Sequence, residues 1–305
     1  MKCVERVALV TAGTTGLGRA ITKTLLRAGY GVVATSRRVA ADEDPDPPGK
    51  DGHLLVARWD SSDRDTDPAV IEEALLHFGR LDALVLNAGP YHRTPVSVAD
   101  TSDGVFAAML EGNLSAPFRL IRAALPTLRA GSHPRVVTVG YVGAGSALGW
   151  PQRGAYASAK AGLAALTRTL AEEERHRGVT ANMVCPSDIR THDKTSTEPT
   201  PDRPVGADVA RLIRFLLDPE ADHLTGQVLE LAFAPGSGAA QAGVAIPVPA
   251  RQRAVGSVVR PNGWPTPVPV EEARLDGDEW RYRVRTGDTT AWVGERDLAG
   301  EVETP

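Results

Sequence analysis

Two residues of the sequence, Tyr156 and Lys160, have side chains that could carry out proton chemistry together. They lie four residues apart in a stretch with helical periodicity, so both side chains are expected on one helix face. A lysine ammonium beside a phenol stabilises the phenolate and lowers its pKa. Such a phenol can donate a proton to a carbonyl oxygen as a hydride arrives, or take it back in reverse. The pair alone is common on helix surfaces, so its meaning depends on the residues that accompany it.

A glycine-rich turn near the amino terminus could hold a dinucleotide. The run TAGTTGLGRA (residues 11–20) follows a predicted strand and opens a predicted helix, which is the context that such a motif requires. Gly13, Gly16 and Gly18 let the backbone turn tightly and approach a pyrophosphate, while the helix amino terminus supplies N–H groups. A tight turn with a purely structural role is the alternative.

The residues at the end of the second predicted strand indicate which dinucleotide would bind. NAD sites often carry an acidic residue here for the ribose hydroxyls. In this sequence Ser36 occupies the position and is followed by Arg37 and Arg38. Guanidinium groups suit a 2′-phosphate through bidentate, charge-assisted hydrogen bonds. NADP(H) is therefore favoured over NAD(H), the alternative being a solvated basic pair.

Residues 1–235 read as strands alternating with helices. The strands are short apolar runs, which is typical of parallel strands buried on both faces. The alternation predicts a Rossmann-type, doubly wound parallel α/β sheet. Residues 39–53 are rich in proline and acid and are interpreted as a solvated loop. The predicted strands are Arg6–Thr11, Gly31–Thr35, Leu54–Trp59, Ala83–Asn87, Arg135–Gly140, Thr180–Cys185 and Val228–Ala232, and the predicted helices are Leu17–Ala28, Pro68–Phe78, Asp103–Arg129, Ala155–Arg177 and Ala207–Leu217.

The pattern changes after residue 235. Residues 236–252 are small and rich in Gly and Pro, which indicates a linker. Residues 253–305 are predicted to form a separate, small SH3-like β-barrel, because apolar and charged residues alternate in Trp280–Arg285 and the sequence LDGDE predicts a hairpin. The predicted strands are Ala254–Arg260, Val268–Leu275, Trp280–Arg285 and Thr290–Val293.

The aromatic residues of this carboxyl-terminal region are interpreted as its small core. A site for a proline-rich peptide or another protein partner is the alternative. A nucleic-acid face on Arg281, Arg283 and Arg285 is a further alternative, which is disfavoured because residues 251–305 hold eight Arg and ten acidic residues, a net charge of −2. The aromatic residues in question are Trp264, Trp280, Tyr282 and Trp292.

The composition excludes several further classes of protein. The 305 residues are 42% hydrophobic, enough for a full core, and 34 basic residues nearly balance 38 acidic ones, which argues against a polybasic nucleic-acid or membrane-surface binder. Two cysteines cannot build a disulfide framework, so a cytoplasmic location is expected. No apolar run reaches about 18 residues, which argues against a membrane span. No Cys/His cluster has metal-ligand spacing, so no metal is expected.

Further motifs follow the glycine turn in a fixed order. They are Asp60 after the third strand, Asn87-Ala88-Gly89 after the fourth, Asn113 in GNLSAPF, AYASAKAGL (155–163), CPSDI (185–189) and LTGQ (224–227). With these motifs, the sequence resembles the short-chain dehydrogenase/reductase family over roughly residues 4–234. Within that family it is most similar to bacterial 3-oxoacyl-acyl-carrier-protein reductases, chiefly through residues 149–188.

The resemblance implies an NADP(H)-dependent oxidoreductase that reduces a carbonyl, with a 3-oxoacyl thioester as the leading substrate. Tyr156 would donate the proton, Lys160 would bind the nicotinamide ribose and lower the tyrosine pKa, and Asn113 would kink its helix and hold a relay water. Family members are dimers or tetramers, so a homodimer or homotetramer is expected. The residues implied to contact the cofactor are Gly13, Thr15, Gly16, Leu17, Gly18, Ser36, Arg37, Asp60, Asn87, Ala88, Gly89, Tyr156, Lys160, Pro186 and Ile189. The alternative to a cofactor contact is a strand cap for Asp60 and a purely structural role for Asn87.

The sequence departs from the family pattern at three positions. Ala12 replaces a glycine of the turn, and Ser187 replaces the glycine after Pro186. The family's serine, which donates a hydrogen bond to the substrate oxygen shortly after the fifth strand, has no direct counterpart. Ser146 or the phenol of Tyr141 could substitute for it, and Ser146 is taken as the catalytic candidate. A second alternative is that Tyr156 and backbone N–H groups alone stabilise the negative charge that develops on the substrate oxygen. A third is that the protein is weakly active or inactive. In the last case it would be an NADP(H)-binding sensor or scaffold that acts through its carboxyl-terminal barrel.

Overall fold

The computed structural model of the chain contains two compact units, Met1–Gln241 and Ala242–Pro305. Most of the predicted loop at 39–53 and the whole predicted linker at 236–252 lie outside the described residues. The structure describes residues 4–38, 53–91, 94–187, 189 and 205–231, together with the strand segments 258–261, 268–276, 279–286, 289–294 and 298–299.

The first unit is built on a seven-stranded parallel sheet with the order β3-β2-β1-β4-β5-β6-β7. This arrangement confirms the predicted doubly wound α/β fold. The strand order reverses between β1 and β4, and ligands of such sheets bind beyond the carboxyl ends of the strands at this point. The strands are β1 Val7–Val10, β2 Gly31–Ser36, β3 Leu54–Arg58, β4 Ala83–Leu86, β5 Arg135–Val139, β6 Thr180–Pro186 and β7 Val228–Leu231.

The helices confirm the predicted elements, with two corrections. The predicted helix Asp103–Arg129 is interrupted by a π-helical turn at Glu111–Ser115, and the helix predicted to end at Arg177 ends at Glu173, with a 3₁₀ turn over Arg175–Arg177. The helices are α1 Gly16–Arg27, α2 Thr66–Phe78, α3 Asp103–Leu110, α4 Ala116–Ala130, α5 Gly154–Glu173 and α6 Gly206–Leu217.

Alternate residues of the central strands pack on opposite layers of helices. In β1, Val7 and Leu9 belong to a core cluster that includes side chains of α2 and α4. Ala8 and Val10 belong to a second cluster with side chains of α1 and α6. All four residues of β1 are fully buried. The rigid sheet between the two layers therefore fixes where the loops after its strands can lie.

The second unit contains antiparallel strands in the order β11-β10-β9-β8-β12. The predicted hairpin is confirmed, since Asp276 of β9 pairs with Glu279 of β10. Tyr282 and Val284 of β10 are buried and Arg285 is exposed, as the alternating pattern predicts. The strand β12 was not predicted because it is only two residues long. The strands are β8 Val258–Pro261, β9 Val268–Asp276, β10 Glu279–Thr286, β11 Thr289–Gly294 and β12 Leu298–Ala299.

In the part of the chain that the structure describes, every helix is too short or too polar to cross a lipid bilayer.

Candidate active site

The glycine turn after β1 packs so tightly that side chains are excluded from two of its positions. A Cβ atom at Gly18 would lie 2.0 Å from the carbonyl oxygen of Ala12, and one at Gly13 would lie 2.8 Å from that of Val10. Gly16 has a φ of +53°, in the left-handed region that glycine adopts without strain. The glycine pattern is therefore required by the backbone, and it leaves an open cradle at the start of α1 that fits a pyrophosphate.

Ala12 lies in this turn with a φ of +51°, where a non-glycine residue is strained by about 1–2 kcal/mol. Two hydrogen bonds brace it: its N–H donates to Thr35 Oγ1 at 3.2 Å, and the N–H of Gly13 donates to the Thr35 carbonyl at 3.0 Å. These bonds stabilise the turn with Ala12 at this position.

The amino terminus of α1 faces the cavities of the site. Thr15 precedes the helix in an extended conformation, and its side chain makes no capping hydrogen bond. The first N–H groups of a helix have no partners within the helix and carry its positive dipole end. Thr15 and Leu17 both line the site, so this end of the helix is available to an anionic group.

The first cavity, here called the arginine cavity, has a volume of about 670 Å³ and lies beyond β2 and β3. Ser36, Arg37 and Arg38 line it, and the two arginines are exposed. Trp59 and Ser61 also line it. Sequence reasoning missed these last two residues, although they flank Asp60 at the end of β3.

Asp60 lies between Trp59 and Ser61, which line the arginine cavity, and its expected contact with adenine stays a prediction. Its carboxylate accepts hydrogen bonds from the N–H and hydroxyl of Ser62, at 2.9 and 2.8 Å. These two bonds hold the pKa of Asp60 below its usual range. The side chain therefore caps the turn after β3, which was the alternative interpretation.

The second cavity, here called the tyrosine cavity, has a volume of about 340 Å³ and contains most of the predicted catalytic and cofactor residues. They come from the glycine turn, from the loops after β4 and β6, from the π-helical turn and from α5. Residues 188 and 190–204 lie outside the described residues. The predicted residues that line this cavity are Thr15, Leu17, Asn87, Ala88, Gly89, Asn113, Tyr156, Lys160, Pro186 and Ile189.

Asn87 joins the loop after β4 to the glycine turn. Its N–H donates to Thr11 Oγ1 at 2.9 Å, and its side-chain amide donates to the Thr11 carbonyl at 3.1 Å. The N–H of Ala88 also donates to Thr11 Oγ1, at 2.9 Å. These bonds support the structural role that was left open for Asn87.

Lys160 is fully buried in the wall of the tyrosine cavity. Its Nζ donates a hydrogen bond to the carbonyl of Val139 at 2.7 Å and lies 5.7 Å from the centre of the Tyr156 ring. Burial lowers the pKa of Lys160 to about 8. The ammonium is thus held beside the phenol at some cost in stability.

The expected lowering of the Tyr156 pKa by Lys160 is wrong for this structure. Burial instead raises the pKa of Tyr156, and nearby groups that include Tyr91 and Cys185 add to the effect. The reason is that the lysine forms its hydrogen bond with Val139 and is itself poorly solvated. The phenol therefore stays protonated at neutral pH.

Asn113 lies in the π-helical turn, which agrees with the expected distortion of its helix. Its side-chain amide donates to the carbonyls of Pro90 and Met109, at 2.9 and 3.1 Å. Its Oδ1 is buried and has no hydrogen-bond partner. A Cβ at Gly89 would lie 2.2 Å from this oxygen and 3.6 Å from Lys160 Nζ, so the oxygen and the ammonium face the same narrow space. An acceptor without a partner at this place fits a water molecule in a proton relay.

Ser146 lies outside the lining of the tyrosine cavity, and its expected catalytic role stays a prediction. It is exposed in a 3₁₀ turn, Ala144–Ser146, outside the lining of the cavity. Gly143 has a φ of +99°, and its N–H donates to Glu230 of β7 at 2.7 Å. This bond holds the start of the turn against β7, and Gly145 packs against Val228.

Tyr141 lines the tyrosine cavity, but its hydroxyl is already engaged. The hydroxyl donates to the carbonyl of Leu148 at 2.5 Å, so its single proton is not directed at a substrate. Tyr91 and Trp150 also line the cavity, with ring centres 5.2 and 6.1 Å from that of Tyr156. The phenol of Tyr156 is thus surrounded by the aromatic rings of Tyr91, Tyr141 and Trp150.

The parallel sheet, the glycine cradle and the Tyr156–Lys160 pair together define a dinucleotide-dependent oxidoreductase of the doubly wound α/β class. Residues 6–202 match the family described as short chain dehydrogenase. The chain therefore belongs to the short-chain dehydrogenase/reductase family and is an NAD(P)-dependent enzyme, which confirms the family resemblance found in the sequence.

Relatives and a solved structure agree with this assignment. The chain is 41% identical over 241 residues to YtkK of Bacillus subtilis (strain 168), provisionally an oxidoreductase, with 74% of this chain and 94% of that protein covered. It is 33% identical over 243 residues to the 3-oxoacyl-[acyl-carrier-protein] reductase FabG of Escherichia coli (strain K12), covering 74% and 95%. A Bacillus thuringiensis structure, provisionally a 3-oxoacyl reductase, has 37% identity and a TM-score of 0.68, covering 74% and 96%.

Proposed function

We propose that the protein is an NADP(H)-dependent reductase that converts the carbonyl group of a 3-oxoacyl thioester to an alcohol. The observation that carries this proposal is the meeting of Tyr156, Lys160 and Asn113 at the tyrosine cavity, beside the glycine cradle. The 33% identity to the Escherichia coli 3-oxoacyl reductase supports the substrate class.

When bound, the dinucleotide supplies the hydride. Tyr156 donates its phenolic proton to the carbonyl oxygen, and its raised pKa keeps that proton in place at neutral pH. Lys160, together with a water on Asn113 Oδ1, restores the proton to the phenol.

Without the family's serine, we propose that Tyr156 and backbone N–H groups hold the developing oxyanion. The commitment of the Tyr141 hydroxyl to Leu148 supports this choice. Loss of one oxyanion donor costs about 100- to 1000-fold in rate in other enzymes. We therefore expect slower turnover than in relatives that retain the serine.

The preference for NADP(H) follows from the residues of the arginine cavity. Ser36 is uncharged, so it does not repel a 2′-phosphate, and the exposed guanidinium groups of Arg37 and Arg38 lie beside it. A charge-assisted hydrogen bond to such a phosphate is worth about 1.5–3 kcal/mol, or roughly 10- to 150-fold in affinity.

The test is an absorbance assay at 340 nm with purified protein and a panel of carbonyl compounds. The panel contains acetoacetyl thioesters, diketones and pterins, each with NADPH and with NADH. We expect turnover with NADPH that is fastest on the acetoacetyl thioesters. Saturable NADPH binding without turnover on any compound would contradict the proposal and favour the sensor or scaffold function.

We also propose that the second unit is an SH3-like barrel that contacts a protein partner, and that the chain is a homodimer or homotetramer. The antiparallel strand order and the buried Tyr282 and Val284 support the barrel. Light scattering after size exclusion tests the oligomer. Hydrogen exchange on the full chain tests the barrel, because a folded barrel protects the amides of β9 and β10.

A further inference from the structure

The side chain of Arg119, on α4, connects the loop after β3, the start of α2 and the π-helical turn. Its Nε donates to Asp67 Oδ2 of α2 at 2.9 Å. Its Nη1 donates to Glu111 Oε1 at the start of the π-helical turn, at 2.5 Å, and its Nη2 donates to the carbonyl of Ser61 after β3, at 2.8 Å. The Arg119 side chain is 9% exposed and that of Asp67 is 5% exposed, so this ion pair is shielded from water, whereas the Glu111 side chain is 35% exposed.

One set of these contacts reaches the arginine cavity. Asp67 accepts a second hydrogen bond, from the indole N–H of Trp59 at 2.8 Å. Trp59 and Ser61 both line the arginine cavity. Arg119 therefore fixes one wall of this cavity twice, through the Ser61 carbonyl and through the Asp67–Trp59 pair.

The other contact reaches the tyrosine cavity. Glu111 opens the five-residue π-helical turn that contains Asn113. The next residue, Gly112, is so close to Pro90 that a Cβ would lie 2.2 Å from its Cδ, and Asn113 donates to the Pro90 carbonyl. Glu111 thus anchors the turn whose Asn113 Oδ1 faces Lys160.

We propose that Arg119 is a positioning residue that holds the wall of the arginine cavity and the Asn113 turn in one fixed arrangement. This inference rests on the proposed function for the role of Asn113. The planar guanidinium fork is required because a lysine ammonium is a point charge on a flexible stem and cannot present three donors in these directions. Through its contact with Asp67, Arg119 supports cofactor affinity, and through its contact with Glu111, it supports turnover.

The test compares Arg119→Lys, Asp67→Asn and Glu111→Gln in the full chain. Isothermal titration gives the Kd for NADPH, and steady-state assays at saturating NADPH give kcat on the best carbonyl of the panel. We expect Arg119→Lys to raise the Kd and lower kcat by about tenfold each. Asp67→Asn should mainly raise the Kd, and Glu111→Gln should mainly lower kcat.

Arg129→Lys is the matched control, because Arg129 is also on α4 and makes a two-pronged ion pair, with Glu174. It lies outside both cavities, so it should change thermal stability while Kd and kcat stay within twofold. The inference is overturned if Arg119→Lys behaves like Arg129→Lys. It is also overturned if Asp67→Asn and Glu111→Gln change the same parameter equally.

Hydrogen exchange separates a failure of this inference from a failure of the proposed function. Arg119→Lys should speed exchange both at residues 59–62 and at residues 111–115, whereas Arg129→Lys should speed it at neither segment. If wild type reduces no carbonyl, the proposed function fails, and the exchange pattern and the Kd still decide the role of Arg119. Unchanged exchange at either segment in Arg119→Lys would overturn the proposed positioning role of Arg119.

Discussion

The buried Lys160 should make the stability of the cofactor-free protein depend on pH in a specific way. Burial lowers its pKa from 10.5 to about 8. Between these two values the unfolded chain binds a proton on this lysine and the folded protein does not. The free energy of unfolding therefore rises with pH across this window, because stability rises wherever the unfolded state binds more protons.

Lys160→Met removes this contribution and leaves the other titrating groups in place. At about 1.36 kcal/mol per pKa unit, the wild type should gain roughly 2.5 kcal/mol over the variant between pH 7 and pH 10. The raised pKa of Tyr156 lowers the free energy of unfolding as the pH rises above about 10. Because Tyr156 is present in both proteins, this effect cancels in the difference between them. The substitution also removes the hydrogen bond from Lys160 to the Val139 carbonyl, which shifts the difference equally at every pH.

The measurement is urea unfolding of both proteins at pH 7, 8, 9 and 10 without cofactor. Lys23→Met on α1 is the control for loss of a half-buried lysine, and its effect should stay the same across the series. A difference between wild type and Lys160→Met that stays constant within about 0.5 kcal/mol would refute the reasoning, since a lysine with its usual pKa predicts almost no change below pH 10.

Four further variants, and one control, test other parts of the site. Tyr141→Phe should leave kcat within about threefold of wild type, because the Tyr141 hydroxyl already donates to the Leu148 carbonyl. Ser146→Ala should leave kcat unchanged, because Ser146 lies outside the tyrosine cavity. A 100-fold loss of kcat in either variant would identify that residue as the missing oxyanion donor. Gly18→Ala should weaken NADPH binding more than tenfold, because its Cβ would meet the Ala12 carbonyl, whereas Gly104→Ala, with open space around it, should bind normally. Arg37→Ser should reduce the preference for NADPH over NADH by at least about tenfold, as measured by titration, and an unchanged preference would remove Arg37 from the phosphate site.

The fold and most of the cavity lining could be predicted because they follow from local patterns. Apolar strands buried on both faces and a turn that only glycine can form leave direct traces in the sequence. Gly13 and Gly18 illustrate this, since each is required by a backbone contact with the turn itself. The pairing of Tyr156 with Lys160 follows from helical spacing alone.

The features that could not be predicted depend on contacts between distant residues. The path that keeps Ser146 out of the cavity is held by Glu230, 87 residues from Gly143. The Val139 carbonyl that holds Lys160, 21 residues away, is likewise set by the folded chain. Burial, together with Tyr91, Cys185 and Tyr141, raises the pKa of Tyr156, which is opposite to the direction expected from its spacing to Lys160.

The most direct test of the central claim is Tyr156→Phe, which removes only the phenolic oxygen. The account predicts that kcat for NADPH-dependent carbonyl reduction falls by about 100- to 10,000-fold, the range for loss of a general acid. The Kd for NADPH should stay within about threefold, because the glycine cradle and the arginine cavity are untouched. A variant that retains kcat within tenfold of wild type would contradict the assignment of Tyr156 as the proton donor.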